Sequence, residues 1–117
     1  LLYYPTAIGS EPILSVDSMP HWRRVMQGHA AANLMPVIAA NRIGTETVEP
    51  CPENGNQKSA LRFYGSSFIT DGTGEIAVSM DRDSEGVIAS EFDLDELMEE
   101  RLSWGLFRDR RPEVYHE

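Results

Sequence analysis

Leu1-Leu2-Tyr3-Tyr4-Pro5, then Asp17-Ser18-Met19-Pro20-His21-Trp22, then Met35-Pro36-Val37-Ile38-Ala39-Ala40: within forty residues the chain spells out a strand, a helix and a second strand. Residues 1–4 are apolar or aromatic throughout and read as the end of a buried strand. Pro5 closes it, because proline has no N–H to give to a ladder. Asp17 or Ser18 can cap a helix that carries Pro20 in its first turn. The apolar stripe of that helix is Trp22, Val25, Met26, Ala30 and Leu34, at i, i+3, i+4, i+8 and i+12. His29 and Asn33 fall on the same stripe. Residues 35–40 form a continuous apolar run, short enough for a strand buried on both faces.

Outward from this unit, Asn41-Arg42-Ile43-Gly44 ends the second strand, and residues 45–60 shift to Glu, Pro, Asn, Gly, Gln and Lys. That composition, with no hydrophobic period, predicts a polar surface loop. Strand character returns over residues 63–70. After the turn Asp71-Gly72-Thr73-Gly74, residues 75–80 alternate with Ile76, Val78 and Met80 on one face. Residues 87–92 alternate as well, so the three segments are expected to form an antiparallel meander. Asp93 caps a second helix, with Glu96 at the reciprocal capping position, a stripe of Leu94, Leu97, Met98, Arg101 and Leu102, and Gly105 as its stop. The order of elements predicts a mixed α/β layer arrangement.

The chain has 117 residues, 41% apolar and 25% charged, which is ordinary globular usage for one domain at most. A net charge of −9 and a pI near 4.7 disfavour nucleic acid and anionic lipid as partners, both of which require a basic surface. The same charge mildly favours a cationic small molecule. Cys51 is the single cysteine, so no intramolecular disulfide can form; this fits a reducing compartment, and a cytoplasmic location is expected. No run approaches transmembrane length. The chain opens inside an apolar strand-like run without an initiator Met, which leads us to expect a preceding segment.

Cys51 lies between Pro50 and Pro52 with Glu49 and Glu53 beside it. A nucleophilic cysteine needs a structured electropositive pocket, and this loop offers none, so Cys51 reads as an inert thiol. His21, His29 and His116 share no ligand spacing, and no Cys-x-x-Cys occurs, so no metal site is expected. Asp81-Arg82-Asp83-Ser84-Glu85-Gly86 imitates the start of a calcium loop, but the twelfth place holds Phe92 where a bidentate Glu is required. His29 reads as a satisfied core histidine. Arg108, Arg110 and Arg111 are interleaved with Asp109 and Glu113, as in an ion-paired or interface segment. Glu11, on a loop just past the end of the first strand, is either a solvated acid or a partner for an ammonium group, since ligands gather at such strand ends.

One resemblance covers nearly the whole chain. Tyr4-Pro5-Thr6-Ala7-Ile8-Gly9-Ser10-Glu11-Pro12, His21-Trp22, Val25-Met26-Gln27-Gly28-His29-Ala30 with Ala32-Asn33, and Asn41-Arg42-Ile43-Gly44 resemble successive segments of the N-carbamoylputrescine amidase family, a branch of the nitrilase (carbon–nitrogen hydrolase) superfamily. So do Phe63-Tyr64-Gly65-Ser66-Ser67-Phe68-Ile69, Thr73-Gly74-Glu75-Ile76 and Trp104-Gly105-Leu106-Phe107-Arg108-Asp109-Arg110-Arg111-Pro112. Residues 45–60, with Cys51, depart from the pattern. The resemblance implies an α/β fold, the C-terminal portion of a nitrilase-like four-layer αββα sandwich, with residues 1–117 part of one domain in a homo-oligomer. It implies a Glu–Lys–Cys catalytic set and no cofactor or metal. All three catalytic residues are expected upstream of Leu1, so the chain alone is expected to be inactive. It further implies that Thr6 and Ala7 lie beside the nucleophile and that Glu11 binds the distal ammonium of the substrate.

Overall fold

The computed structural model describes residues 1–10 and 14–115. These form β1 (Leu2–Thr6), β2 (Gly9–Ser10), α1 (Met19–Asn33), β3 (Val37–Asn41), β4 (Ile43–Val48), β5 (Ser59–Tyr64), β6 (Phe68–Thr70), β7 (Ile76–Ser79) and α2 (Leu94–Trp104). β1 and β3 are parallel, in register from Leu2 opposite Val37 to Thr6 opposite Asn41, so their carboxyl ends lie side by side. A parallel pair cannot be closed by a tight turn, and α1 supplies the crossover. Antiparallel β6 and β7 extend this sheet in the order β1-β3-β6-β7, and a second sheet has the order β2-β5-β4.

The core lies where α1 meets the first sheet. Trp22 and Ala30 from α1 join Val37 and Ala39 from β3, Phe68 from β6 and Tyr64 from β5, all buried. Leu2, Tyr4, Ile8, Met26 and Ile76 pack around them. Trp22 meets Phe68 edge-on at 5.5 Å and Tyr64 at 5.8 Å, within the favourable range for offset and edge-to-face rings. The buried Thr70 hydroxyl accepts from Val37 N at 2.9 Å, which ties β3 to the far end of β6.

Several local expectations change. Pro5 lies inside β1 and does not close it; β1 is an edge strand, where a missing N–H costs nothing if it faces away from the ladder. Neither β1 nor β3 is buried on both faces, because α1 covers only one: Tyr3 and Ala40 are exposed while Val37 and Ala39 are buried. Residues 63–70 are two strands in two sheets, broken at Gly65 and Ser66, which both take left-handed φ values of 47° and 57°. Part of the expected polar loop is β4, paired with β5 from Ile43 opposite Tyr64 to Val48 opposite Ser59. The expected third meander strand over residues 87–92 is absent: the segment has no ladder partner, and Val87 is 94% exposed. His29 is exposed, with its ring 6.2 Å from that of Tyr4, and is no core residue.

The helix starts are local chemistry. Asp17 Oδ1 accepts from Met19 N at 3.2 Å ahead of α1, while Ser18 occupies the cap position without a side-chain bond. At α2, Asp93 Oδ1 accepts from Asp95 N and Glu96 N, so Glu96 contributes through its backbone. Gly105 ends α2 with φ 69°, a left-handed value that suits glycine.

Candidate functional site

Thr6 and Ala7 stand at the carboxyl end of β1, beside the carboxyl end of β3, the place where parallel strands deliver ligands. Thr6 is half-buried and Ala7 exposed. Glu11, the third residue singled out from sequence, lies outside the described residues. The structure therefore brings Thr6 and Ala7 together at one strand end.

What shapes this end is Asn41. Its Oδ1 accepts from Ile8 N at 2.9 Å and shares the single Thr6 hydroxyl hydrogen with Ala40 O, each oxygen 3.0 Å from Thr6 Oγ1. Its Nδ2 donates to Ile8 O at 3.0 Å and Gly65 O at 2.9 Å. The backbone continues the network: Asn41 N donates to Ser67 Oγ at 2.9 Å, and Arg42 N to Thr6 O at 3.2 Å. Sequence reading treated Asn41 only as the end of a strand. The available signal was an asparagine directly after an apolar run, since Asn is depleted in strands and a half-buried amide requires partners.

Across from Thr6, Gly65-Ser66-Ser67 forms a held corner. Ser66 is 2% exposed with φ 57°, a conformation that costs a non-glycine residue roughly 1–2 kcal/mol. Ser66 Oγ donates to Tyr64 O at 2.8 Å, Ser66 N to Asp81 O at 2.9 Å, and Arg23 Nη2 to Ser66 O at 3.2 Å. The Arg23 guanidinium also sits 5.4 Å from the Phe68 ring centre, and burial lowers its pKa from the usual arginine value. Strain that is held from three sides in this way marks a constrained segment.

Next to β2 lies a cavity of about 420 Å³ whose walls include Ser10, Leu14, Arg62, Tyr64, Asp17 and Arg82. Arg82 Nη2 and Asp17 Oδ2 are 2.6 Å apart, and the Arg82 hydrogen bond holds the Asp17 carboxyl below the usual carboxylate range. Burial pushes the Tyr64 phenol up.

Other candidates fall away on geometry. Cys51 lies in the connection of the β4–β5 hairpin; six residues of β4 separate it from the Asn41 end, about 20 Å at strand rise. Asp81 spends its carboxylate on its own turn, accepting from Ser84 Oγ and Ser84 N at 2.7 Å and from Asp83 N at 2.9 Å. Among the described residues no cluster of three His, Cys, Asp or Glu could hold a metal, and no helix is long and apolar enough to cross a membrane. Arg108 and Asp109 pair at 2.6 Å, and Arg101 and Arg110 lie over the Phe107 ring at 4.2 Å and 5.5 Å.

Comparison with known proteins places these features in a family. Residues 4–101 match the carbon–nitrogen hydrolase family. The chain is 55% identical over 116 residues to the N-carbamoylputrescine amidase of Arabidopsis thaliana, covering 98% of this chain and 38% of that protein. It is 52% identical over 118 residues to a citrullinase of Francisella tularensis, covering 100% of this chain and 38% of that protein. A crystal structure of a carbon–nitrogen hydrolase from Helicobacter pylori superimposes with a TM-score of 0.75 at 35% identity, covering 97% of this chain and 39% of that one. The chain thus spans well under half the length of these relatives.

Proposed function

This chain belongs to the carbon–nitrogen hydrolase family, and from that premise we propose that the intact protein hydrolyses the carbamoyl group of N-carbamoylputrescine. The observation that carries this reading is the 55% identity to the Arabidopsis amidase over 98% of the chain. In the proposed reaction a cysteine thiolate attacks the carbamoyl carbon, a glutamate protonates the departing ammonia, and a lysine stabilises the oxyanion. Water then cleaves the carbon–sulfur bond. The carbamic acid released decomposes to putrescine and carbon dioxide.

These three groups belong, on this reading, to a segment preceding Leu1, and the 117 residues supply a wall of the pocket. Thr6 and Ala7 face the carbamoyl end. Glu11 takes the distal ammonium. A carboxylate opposite a partly desolvated ammonium contributes roughly 1.5–3 kcal/mol. Glu11→Gln in the intact protein is therefore expected to lower kcat/KM for N-carbamoylputrescine by about 10- to 150-fold, at about tenfold per 1.4 kcal/mol. The loss should be smaller for a carbamoyl substrate lacking the distal amine. Equal losses on both substrates would assign Glu11 a structural role. The 117-residue chain alone should release no ammonia. A cytoplasmic homo-oligomer is part of the same proposal; the exposed apolar residues Leu94, Met98, Leu102 and Trp104 on α2 support its assembly and do not bear on its location.

A second reading is favoured by the citrullinase relative. Citrulline presents the same ureido group but ends in both an ammonium and a carboxylate, so its pocket must supply a cation as well. Arg62 and Arg82 line the cavity beside Ser10 but are paired with Asp83 and Asp17, so either would serve as that cation only by sharing or exchanging its carboxylate partner. Arg82→Gln would then reduce turnover of citrulline and spare N-carbamoylputrescine.

A further inference from the structure

We infer that Asn41 is a positioning residue for the proposed reaction: it fixes the loop from Thr6 to Ile8 so that this strand end presents one surface to the reacting carbamoyl group. The inference rests on the hydrolase reading above and extends it to a residue that does not touch substrate. Its basis is the completeness and direction of the Asn41 bonds. Ile8 N is a donor and must face the amide oxygen; Ile8 O and Gly65 O are acceptors and must face the amide nitrogen. Only an amide, in one orientation, satisfies all three and still offers an oxygen to the Thr6 hydroxyl, whose hydrogen Ala40 O shares. Both the N–H and the C=O of Ile8 are held by this one side chain, which mimics a strand partner where β1 has already ended. Through Gly65 the same amide joins the loop to the strained Ser66 corner, itself anchored by Arg23 and Asp81.

The near-isosteric Asn41→Asp keeps the acceptor side and loses both donors, setting carboxylate oxygen against Ile8 O and Gly65 O. In the intact protein two readouts test the role. Hydrogen exchange at the Ile8 amide should accelerate at least tenfold in Asn41→Asp, and unchanged exchange overturns the inference whatever the activity. In steady state, kcat for N-carbamoylputrescine should fall at least tenfold with KM within about threefold of wild type, because a misplaced pocket wall affects the transition state more than the flexible substrate. If Asn41→Asp does not fold, Thr6→Val, which removes the hydroxyl hydrogen shared between Asn41 Oδ1 and Ala40 O, is read first by faster exchange at the Ile8 amide, since Thr6 itself lines the proposed pocket. Thr6→Val should also lower kcat about three- to tenfold, and Thr6→Ser should restore it. A folded Asn41→Asp or Thr6→Val protein that keeps wild-type kcat, or loses activity only through KM, overturns the inference. A wild-type protein inert towards ureido compounds would instead sink the hydrolase reading, and the exchange arm would still decide whether Asn41 holds the loop.

Discussion

Single residues differ widely in what they contribute, and burial sorts them. Trp22 is 6% exposed and touches two other rings, so Trp22→Ala should cost about 3–5 kcal/mol in a denaturant melt of the intact protein. Asp17 is paired with Arg82, but the two side chains are 49% and 41% exposed, so water and salt screen the pair. Asp17→Asn should cost less than about 1 kcal/mol at neutral pH. Because the folded state holds this carboxyl below its ordinary value, the contribution is complete above the usual carboxylate range. It disappears as pH falls through the lowered value, so wild type and Asp17→Asn should converge in acid. Thr6 and Ala7 were singled out by the family resemblance and not by the strand pattern, which placed the strand end at Pro5 where β1 in fact runs on to Thr6. The role of Asn41 was not legible, because its partners Thr6, Ile8 and Gly65 lie 24 to 35 residues away and only the fold assembles them.

Elements show where periodicity is informative and where it misleads. The β1–α1–β3 unit was readable because its apolar pattern is enforced by one core. β4 was not, since Thr45, Glu46 and Thr47 sit on an edge strand with solvated side chains, and its evidence is the ladder to β5. Residues 87–92 show the converse: alternation without a partner strand makes no strand. α2 was placed correctly by its cap and its glycine, yet it buries no residue and is tied in by Arg101 Nε donating to Asn33 O at 3.1 Å. Within the 117-residue chain, where Leu97 is only half-buried, its stability is therefore mostly local. Asp93→Ala should cost about 1 kcal/mol and appear as faster amide exchange along α2, with little change in the global melt.

The molecule as a whole is open. Its radius of gyration is 18.6 Å, against about 13 Å for a compact chain of this length. Its accessible surface is 8243 Å², where roughly 6,400 Å² is expected for its mass. Large apolar side chains lie exposed on it, including Tyr3, Leu94, Met98, Leu102 and Trp104. A surface of this kind normally belongs against other protein. The 117-residue chain alone should therefore bind a hydrophobic dye and aggregate without fixed stoichiometry as its concentration rises, whereas the intact protein should bind less dye and keep one defined oligomeric state. No composition figure reveals this, because what covers a face is a property of the assembled protein. Thr6, Ala7, Glu11 and Asn41 acquire their proposed roles only there. The most direct measurement is ammonia release by the intact protein from N-carbamoylputrescine, alongside citrulline and a simple linear carboxamide. Saturable release from N-carbamoylputrescine, with one putrescine formed per ammonia and little from the carboxamide, is the expected result; no release from N-carbamoylputrescine, whatever citrulline gives, would contradict it.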